Sequence, residues 1–463
     1  MLEQFPQSGT VESVAVDLGR FGPADLAQVG EKENAHRGMM NHGSGRDNQS
    51  ALRRPPLTDN LALVDARVSL NPRDPDFVQD PYPFYTELRA RRPVFYWKEL
   101  GHWCFAGYED VNALLRDRRF GRQILHLATR EELGWPEPPA HLAPFYKFEE
   151  HSLLEIEPPV HTRLRGFINP SFLPRQIERI RPDVERLSHE LIDRFAAQGS
   201  TDLIASFAEP VPVMVIARFL GVPDDMAPQI LTWSHDMVAM YQARRDRAVE
   251  DRAVAATIAF SAYMRGLLAE RRGAPGEDFL SQLLTARDDD GTALTEDELV
   301  TTAILLLNAG HEATVHSLGN GVQALLRHGE ASAFLAEPAR CSEEMLRFDT
   351  PLHMFKRYAL QDLEYGGLRL RKGDQVGLLL ASANRDERKF PSAADFLPER
   401  HPNQHVSFGA GIHFCVGAPL ARLEMQTALR VLFTRLPDLR LVGEARYRDT
   451  WHFHALESLP VAW

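Results

Sequence analysis

The sequence predicts a mainly α-helical fold with small β-sheets, and three observations lead there. From Arg175 onward, apolar residues recur at three- and four-residue intervals. Strand-like character is confined to Val94–Ala106 and Leu363–Asp386. Thr295–His328 is one uninterrupted helix signal. Helical period over long windows and strand period over short ones separate the two classes. The layout is a helical body with a small sheet drawn from both ends of the chain.

Taken in order, residues 1–65 are expected to be a mobile extension, because Gly30–Pro56 is polar, rich in Gly, Asn and Arg, and has no period. Val94–Trp97 and His102–Ala106, joined across Gly101, read as a β-hairpin. Ile177, Ile180, Val184, Leu187, Leu191 and Phe195 mark one amphipathic helix. The next helix ends at Gly221, and Pro223 opens a new segment. Thr295 and Glu298 have the spacing of a capping box. Ala303–Leu307 is apolar on every side, so this helix is expected to cross the core. Its centre then turns polar at Asn308, Gly310, His311, Glu312 and Thr314. A core helix that breaks its own pattern does so for function.

The 463 residues carry 52 Lys and Arg against 64 Asp and Glu, a net charge of −12, which argues against broad nucleic-acid binding. No apolar run approaches the roughly 20 residues that span a bilayer, and the N-terminus lacks the pattern of a signal peptide. Three scattered cysteines, Cys104, Cys341 and Cys415, exclude a disulfide framework and a zinc ribbon. A cytoplasmic location is expected.

One cysteine stands out. Cys415 lies in Phe408-Gly-Ala-Gly-Ile-His-Phe-Cys-Val-Gly417, immediately before a helix in which Pro419 suits the first turn and Met425, Leu429, Leu432 and Leu436 form one stripe. The free N–H groups of a helix start favour a thiolate. Gly409, Gly411 and Gly417 allow backbone to approach a bulky planar group and to aim N–H donors at sulfur. That is what an axial metal thiolate requires.

With that signature the chain resembles the cytochrome P450 family, of the soluble bacterial kind, from about residue 66 to the C-terminus. The resemblance implies a single catalytic domain over 66–463, folded as a triangular prism with haem b (iron protoporphyrin IX) between the central helix and the cysteine-side helix. It implies that Cys415 is the iron ligand, which favours O–O cleavage, with Phe408, Gly409, Gly417 and Ala309 around the haem. It also implies that Glu344 and Arg347, three apart in "EEMLR", join Arg400 to fix the cysteine loop. His161 and Arg165, four apart in "HTRLR", with Arg357 and His413, are the expected propionate partners. Arg163 and Arg422 are candidates for docking an acidic ferredoxin.

"AGHEAT" (Ala309–Thr314) resembles the motif that lines the oxygen pocket, where small residues leave room and an acid and an alcohol manage protons. Ala309 and Gly310 supply the room, and Glu312 takes the acid position. Ala313 stands at the alcohol position and Thr314 follows. One helical step turns a side chain by about 100°, so Thr314 does not simply replace the missing hydroxyl; ordered water, a substrate hydroxyl or a shifted Thr314 remain as relays. A zinc-protease reading of "HEATVH" fails, because His311 and His316 are five apart, about 140° around the helix.

By the same resemblance, the substrate pocket draws on Leu305 and Asn308, on Leu352, His353 and Phe355, and on His452 and Phe453, with Gly121–Phe148 as a cap. Asn308, His353 and His452 are candidates to anchor a polar substrate end or to bond with backbone and water. The expected activity is monooxygenation of a small, mostly apolar molecule, with electrons from NAD(P)H through a separate reductase and ferredoxin. Desaturation, oxidative coupling or peroxide-driven chemistry is the alternative that Ala313 raises; a haem protein that senses a ligand without turnover is the third.

Overall fold

The computed structural model describes residues 62–64, 66–242 and 245–463, the first three by backbone alone. The extension expected over residues 1–65 therefore lies outside the described residues, apart from Ala62–Val64, which pair antiparallel with Arg67–Ser69. The body is helical, as expected, and no described helix is long and apolar enough to cross a membrane.

The largest sheet has seven strands, in the order Ala62–Val64, Arg67–Ser69, Val94–Trp97, His102–Phe105, Gln375–Leu379, Met354–Ala359 and Phe120–Gly121. The expected hairpin is present, with Val94 opposite Phe105 and Trp97 opposite His102. Gln375–Leu379 then pairs parallel with His102–Phe105 and antiparallel with Met354–Ala359, which joins the two ends of the chain. Phe77, Tyr85, Phe95 and Trp97 are wholly buried beneath this sheet, beside Trp451.

The helix expected from Ile177 to Phe195 is broken. A turn of helix at Pro174–Ile177 passes through a tight turn at Glu178–Ile180 into the helix Arg181–Phe195. Pro182 explains the break, since it has no N–H to continue a ladder and suits a first turn. The stripe Val184, Leu187, Leu191 and Phe195 is buried as expected. Pro210–Leu220 stops at Gly221, whose φ of 84° is left-handed. A Cβ there would also lie 2.5 Å from the Asp278 carboxylate carbon, so glycine is required twice over.

The central helix, Glu296–His328, is 33 residues long, roughly 50 Å at 1.5 Å per residue. Both arms of its capping box form: the Glu298 N–H donates to Thr295 Oγ1 at 3.2 Å and the Thr295 N–H to Glu298 Oε2 at 2.8 Å. It packs against Pro210–Leu220, Ala227–Val238, Arg247–Gly273 and the helix that follows Cys415, Ala418–Arg435. Within this buried rod Leu305, Ala309 and Ala313 remain accessible. Four apart, they share one face.

Candidate active site

Cys415 is held by its own loop. The Cys415 N–H donates to the Phe408 carbonyl at 2.9 Å, and the Gly409 N–H to the Val406 carbonyl at 2.8 Å. Gly409 has a φ of 68°, and a Cβ there would meet only the His413 carbonyl oxygen at 3.9 Å, but Gly411, at 72°, serves a different purpose from the one expected. A Cβ on Gly411 would sit 2.5 Å from the Leu115 carbonyl oxygen, so it is another stretch of backbone that fills that space. The sulfur is accessible at the head of Ala418–Arg435. Burial of its surroundings pushes the thiol up, while the Gly417 and Ala418 N–H groups and the charges of Arg165 and Arg422 pull it down. A bound metal cation would complete that pull.

Glu344, Arg347 and Arg400 meet in a dry cluster. Glu344 Oε1 accepts from Arg347 Nη2 at 2.7 Å, and Oε2 from Arg347 Nε at 2.8 Å and Arg400 Nε at 3.1 Å. The Leu397 N–H and Asn403 Nδ2 complete the carboxylate at 2.9 and 3.0 Å. The guanidinium forks then tie down the carbonyls of Asn384, Ala393, Asp395, Pro391 and Ser392. This cluster braces the stretch of chain that leads to the cysteine loop.

The four expected propionate partners gather on one side of that loop with uneven duties. His161 and His413 lie ring to ring at 4.4 Å. His413 Nε2 is 3.0 Å from Glu157 Oε1. Both ring nitrogens of buried His161 lack a partner, and desolvation lowers its pKa to about 4. Arg357 is buried with only the Lys356 carbonyl as partner, and burial lowers its pKa to about 9, with Arg122 adding to the effect. A buried guanidinium without a carboxylate, beside an imidazole without a partner, suits an anionic group such as a haem propionate. Arg165 instead donates to the Ile412 and Phe414 carbonyls, at 3.1 and 2.5 Å, and so supports the loop directly.

The central-helix motif divides its roles differently from the expectation. Ala309 lies on the accessible face, but Gly310 does not make room there: a Cβ at Gly310 would stand 2.9 Å from Ile216 Cγ1 of the neighbouring helix. Thr314 Oγ1 donates to the Gly310 carbonyl at 3.1 Å, so its hydroxyl is taken by the helix backbone. Burial would push the Glu312 carboxyl up, but His316, His311 and His235 outweigh it and hold the group at about 2. His235, on Ala227–Val238, carried no sequence signal, because nothing local ties it to Glu312.

The expected pocket is partly assembled. Leu352 and Phe453 bridge as an antiparallel pair, which brings the two C-terminal segments together. Phe355 packs against the guanidinium groups of Arg122 and Arg357. Asn308 is buried, with Nδ2 near the Met237 sulfur at 3.8 Å and Oδ1 unpartnered. His452 is half-buried and its Nδ1 is unpartnered; desolvation lowers its pKa to about 3. His353 does not fit the expectation. It is fully enclosed, its Nδ1 lies 3.0 Å from Tyr85 Oη, and it belongs to a core network with Asp349 and His454. Within the expected cap, Ala143–Glu149 is helical, and Phe145 packs with Leu142, Met240 and Ala253.

The proposed docking arginines are also engaged. Arg163 bonds to Asp288, Glu298 and the Ala293 carbonyl, ahead of and at the start of the central helix. Arg422 makes a two-pronged pair with Glu343 at 2.7 and 2.8 Å. Both guanidinium groups are paired with carboxylates of this chain while 29% and 33% of their side chains remain exposed.

Comparison with known proteins agrees with this geometry. A family model described as cytochrome P450 matches residues 339–436. The biotin biosynthesis cytochrome P450 of Bacillus subtilis is 36% identical over 393 residues, covering 83% of this chain and 97% of the relative. The cytochrome P450 monooxygenase PikC of Streptomyces venezuelae is 35% identical over 431 residues, covering 90% and 97%. The 6-deoxyerythronolide B hydroxylase of Saccharopolyspora erythraea is 34% identical over 394 residues, covering 83% and 96%. Among solved structures, P450BioI in complex with a hexadec-9Z-enoic acid ligated acyl carrier protein superposes with a TM-score of 0.77 at 34% identity, covering 84% of this chain and 99% of that one. The chain belongs to the cytochrome P450 family and is a haem-thiolate oxidoreductase of the monooxygenase class.

Proposed function

We propose that this cytoplasmic enzyme uses haem b to insert one oxygen atom from O2 into a C–H bond or alkene of a small, mostly apolar substrate, with electrons from NAD(P)H through ferredoxin reductase and ferredoxin. The observation that carries the reading is the accessible Cys415 sulfur at the head of a helix packed on the central helix, whose one accessible stripe is Leu305, Ala309 and Ala313. When bound, the haem supplies O2 activation. The chain supplies the rest. Cys415 holds the iron; His161 and Arg357 receive the propionates; Arg165 and the Glu344 cluster hold the loop; Leu305 and Ala309 offer an apolar wall to substrate. Among the residues expected at the pocket, Asn308 Oδ1, His452 Nδ1 and His353 Nε2 are polar atoms without partners, and we assign the first two to a polar substrate end.

Proton handling is the unusual part. Ala313 has no hydroxyl and Thr314 Oγ1 is bound to Gly310, so neither side chain delivers a proton as it stands. The acid Glu312 and water, or a hydroxyl of the substrate itself, remain. The relatives named for biotin and polyketide biosynthesis, and the acyl-carrier complex, favour an acyl-type substrate, free or carrier-bound.

An absorbance titration of the ferric enzyme with fatty acids, macrolactones, terpenes, steroids and aromatic acids tests this reading. A saturating low- to high-spin shift with one class, followed by a product one oxygen heavier, supports it. Turnover with peroxide alone, and none with NAD(P)H and redox partners, would instead select the peroxide-driven alternative.

A further inference from the structure

Glu312 sits in a group that its role as an acid does not explain. His311 Nε2 is 3.6 Å from Glu312 Oε2, and His235 Nε2, from the Ala227–Val238 helix, is 3.7 Å from the same oxygen. One ligand atom from each of the three residues lies within 4.8 Å of the others. These separations exceed hydrogen-bond length. A tetrahedral centre with metal–ligand bonds of about 2.0–2.1 Å has edges of about 3.3–3.4 Å, so the two histidine–glutamate edges need to close by only a few tenths of an ångström.

The tautomer of His311 points the same way. Its Nδ1 lies 2.7 Å from the Leu307 carbonyl oxygen. A carbonyl only accepts, so Nδ1 carries the proton and Nε2 of the neutral ring presents a lone pair. His311 is completely buried, and that Nε2 has no hydrogen-bond partner. It faces a carboxylate oxygen, acceptor against acceptor. A cation between the two satisfies both, and a backbone carbonyl fixing the far ring nitrogen is how metal-binding imidazoles are oriented.

A cavity of about 10 Å³ borders His235 and Glu312 on the side of His316, Glu209 and Arg448, with His311 outside its lining; that is space for about one water-sized sphere beside the group. The His235 side chain is 41% exposed and offers a way in. Glu209 and Glu312 offset the charge of Arg448. His316 Nε2, 3.4 Å from Glu312 Oε1, is a further unpartnered imidazole on the other carboxylate oxygen.

The other histidine–carboxylate group among the described residues behaves differently. In Asp349, His353 and His454, direct hydrogen bonds are made: His454 Nδ1 to Asp349 at 2.7 Å, the Tyr82 and Tyr447 hydroxyls to Asp349 at 2.9 Å each, and Tyr85 to His353 at 3.0 Å. There the carboxylate is already saturated by hydrogen bonds, although His353 Nε2 and His454 Nε2 are without partners.

We propose that His235, His311 and Glu312 bind one divalent transition metal of the zinc type, clamping the Ala227–Val238 helix to the central helix. Two imidazoles and one carboxylate select zinc, copper or nickel over magnesium and calcium. Three protein ligands leave a fourth position open to water. The site stands independently of the haem reading, but an ion there holds the same oxygen that the proton path would use.

The test is equilibrium dialysis of the chelator-treated holoenzyme against Zn²⁺ at pH 7.5, with elemental analysis of the protein. One equivalent per chain is expected at micromolar free Zn²⁺, weakened at least tenfold in His235→Ala and His311→Ala and unchanged in a surface control, His189→Ala. Zn²⁺ is also expected to raise Tm in the wild type and not in His235→Ala, because it binds only the folded chain. His235 is half-exposed, so its variant keeps the test open should the buried His311→Ala misfold. No equivalent tighter than about 100 µM, or one retained in His235→Ala, overturns the site. Binding is read without turnover, so its failure is distinct from failure of the monooxygenase reading.

Discussion

Arg400 Nε lies 3.1 Å from Glu344 Oε2, and the two side chains are 6% and 0% exposed. With Arg347 also paired to it, one carboxylate is shared by two guanidinium groups away from water. Removing one member of such a group leaves an uncompensated buried charge, at a cost of about 3–5 kcal/mol. Glu344→Gln is therefore expected to lower the denaturant midpoint by that order and to reduce the fraction of chains that hold haem. Arg347→Lys is expected to fail similarly, because an ammonium cannot reproduce the fork that reaches Glu344, Asn384, Ala393 and Asp395. The measurements are a denaturation curve and the thiolate-type ferrous–CO band per mole of protein. Wild-type values in both variants would show that the cluster does not hold the loop.

Gly310→Ala separates two roles for the small residue. If Gly310 exists to seat Ile216, the added methyl overpacks the helix pair and costs about 1–3 kcal/mol. The double variant Gly310→Ala/Ile216→Ala is then expected to be more stable than the sum of its single variants by about 1 kcal/mol or more. Strict additivity, with a changed substrate affinity in Gly310→Ala, would return Gly310 to the oxygen pocket.

How far the sequence reached depends on how local each signal was. The cysteine loop, the spacing of Glu344 and Arg347, and the capping box at Thr295 are set by near neighbours in the chain, and all three were legible. The side-chain partners of the same residues were not. Gly411 and Gly310 looked like room for a cofactor, yet Leu115 and Ile216 fill those spaces. Arg163 and Arg422 read as docking candidates, and nothing local pointed to their partners Asp288, Glu298 and Glu343, which are distant in the chain. His353 read as a pocket anchor because its segment borders the pocket, but its side chain turns inward to Tyr85. His235 was invisible for the converse reason: its meaning lies wholly in a contact with a distant helix.

Ala313→Thr tests whether the missing hydroxyl matters. Ala313 lies on the accessible face, and a hydroxyl there would be new to the site, since Thr314 is bound to Gly310. With water, Glu312 or substrate already carrying the proton, product formed per NAD(P)H consumed is expected to change by less than about twofold, far below the roughly 10²–10⁴-fold that a newly supplied general acid–base contact would bring. A sharp rise in coupling would mean that the native enzyme has no working substitute for the alcohol.

Glu424 provides a test by pH. Its carboxyl is wholly buried in Ala418–Arg435 and neither oxygen has a hydrogen-bond partner, so desolvation raises its pKa well above the ordinary 4.5. In the folded chain the group stays protonated, whereas in the unfolded chain it ionises as pH rises through about 4.3. From there up to the raised folded value, the unfolded state binds fewer protons than the folded one, so this group makes stability fall as pH rises. Glu424→Gln keeps the shape and removes the titration. The variant is expected to match or trail the wild type near pH 4 and to gain on it steadily between pH 5 and 8, by about 1.4 kcal/mol per pH unit at most. Thermal or denaturant unfolding across that range measures the difference. A gap that does not change with pH would mean that Glu424 ionises equally in both states, and that a counter-charge reaches it in the folded enzyme.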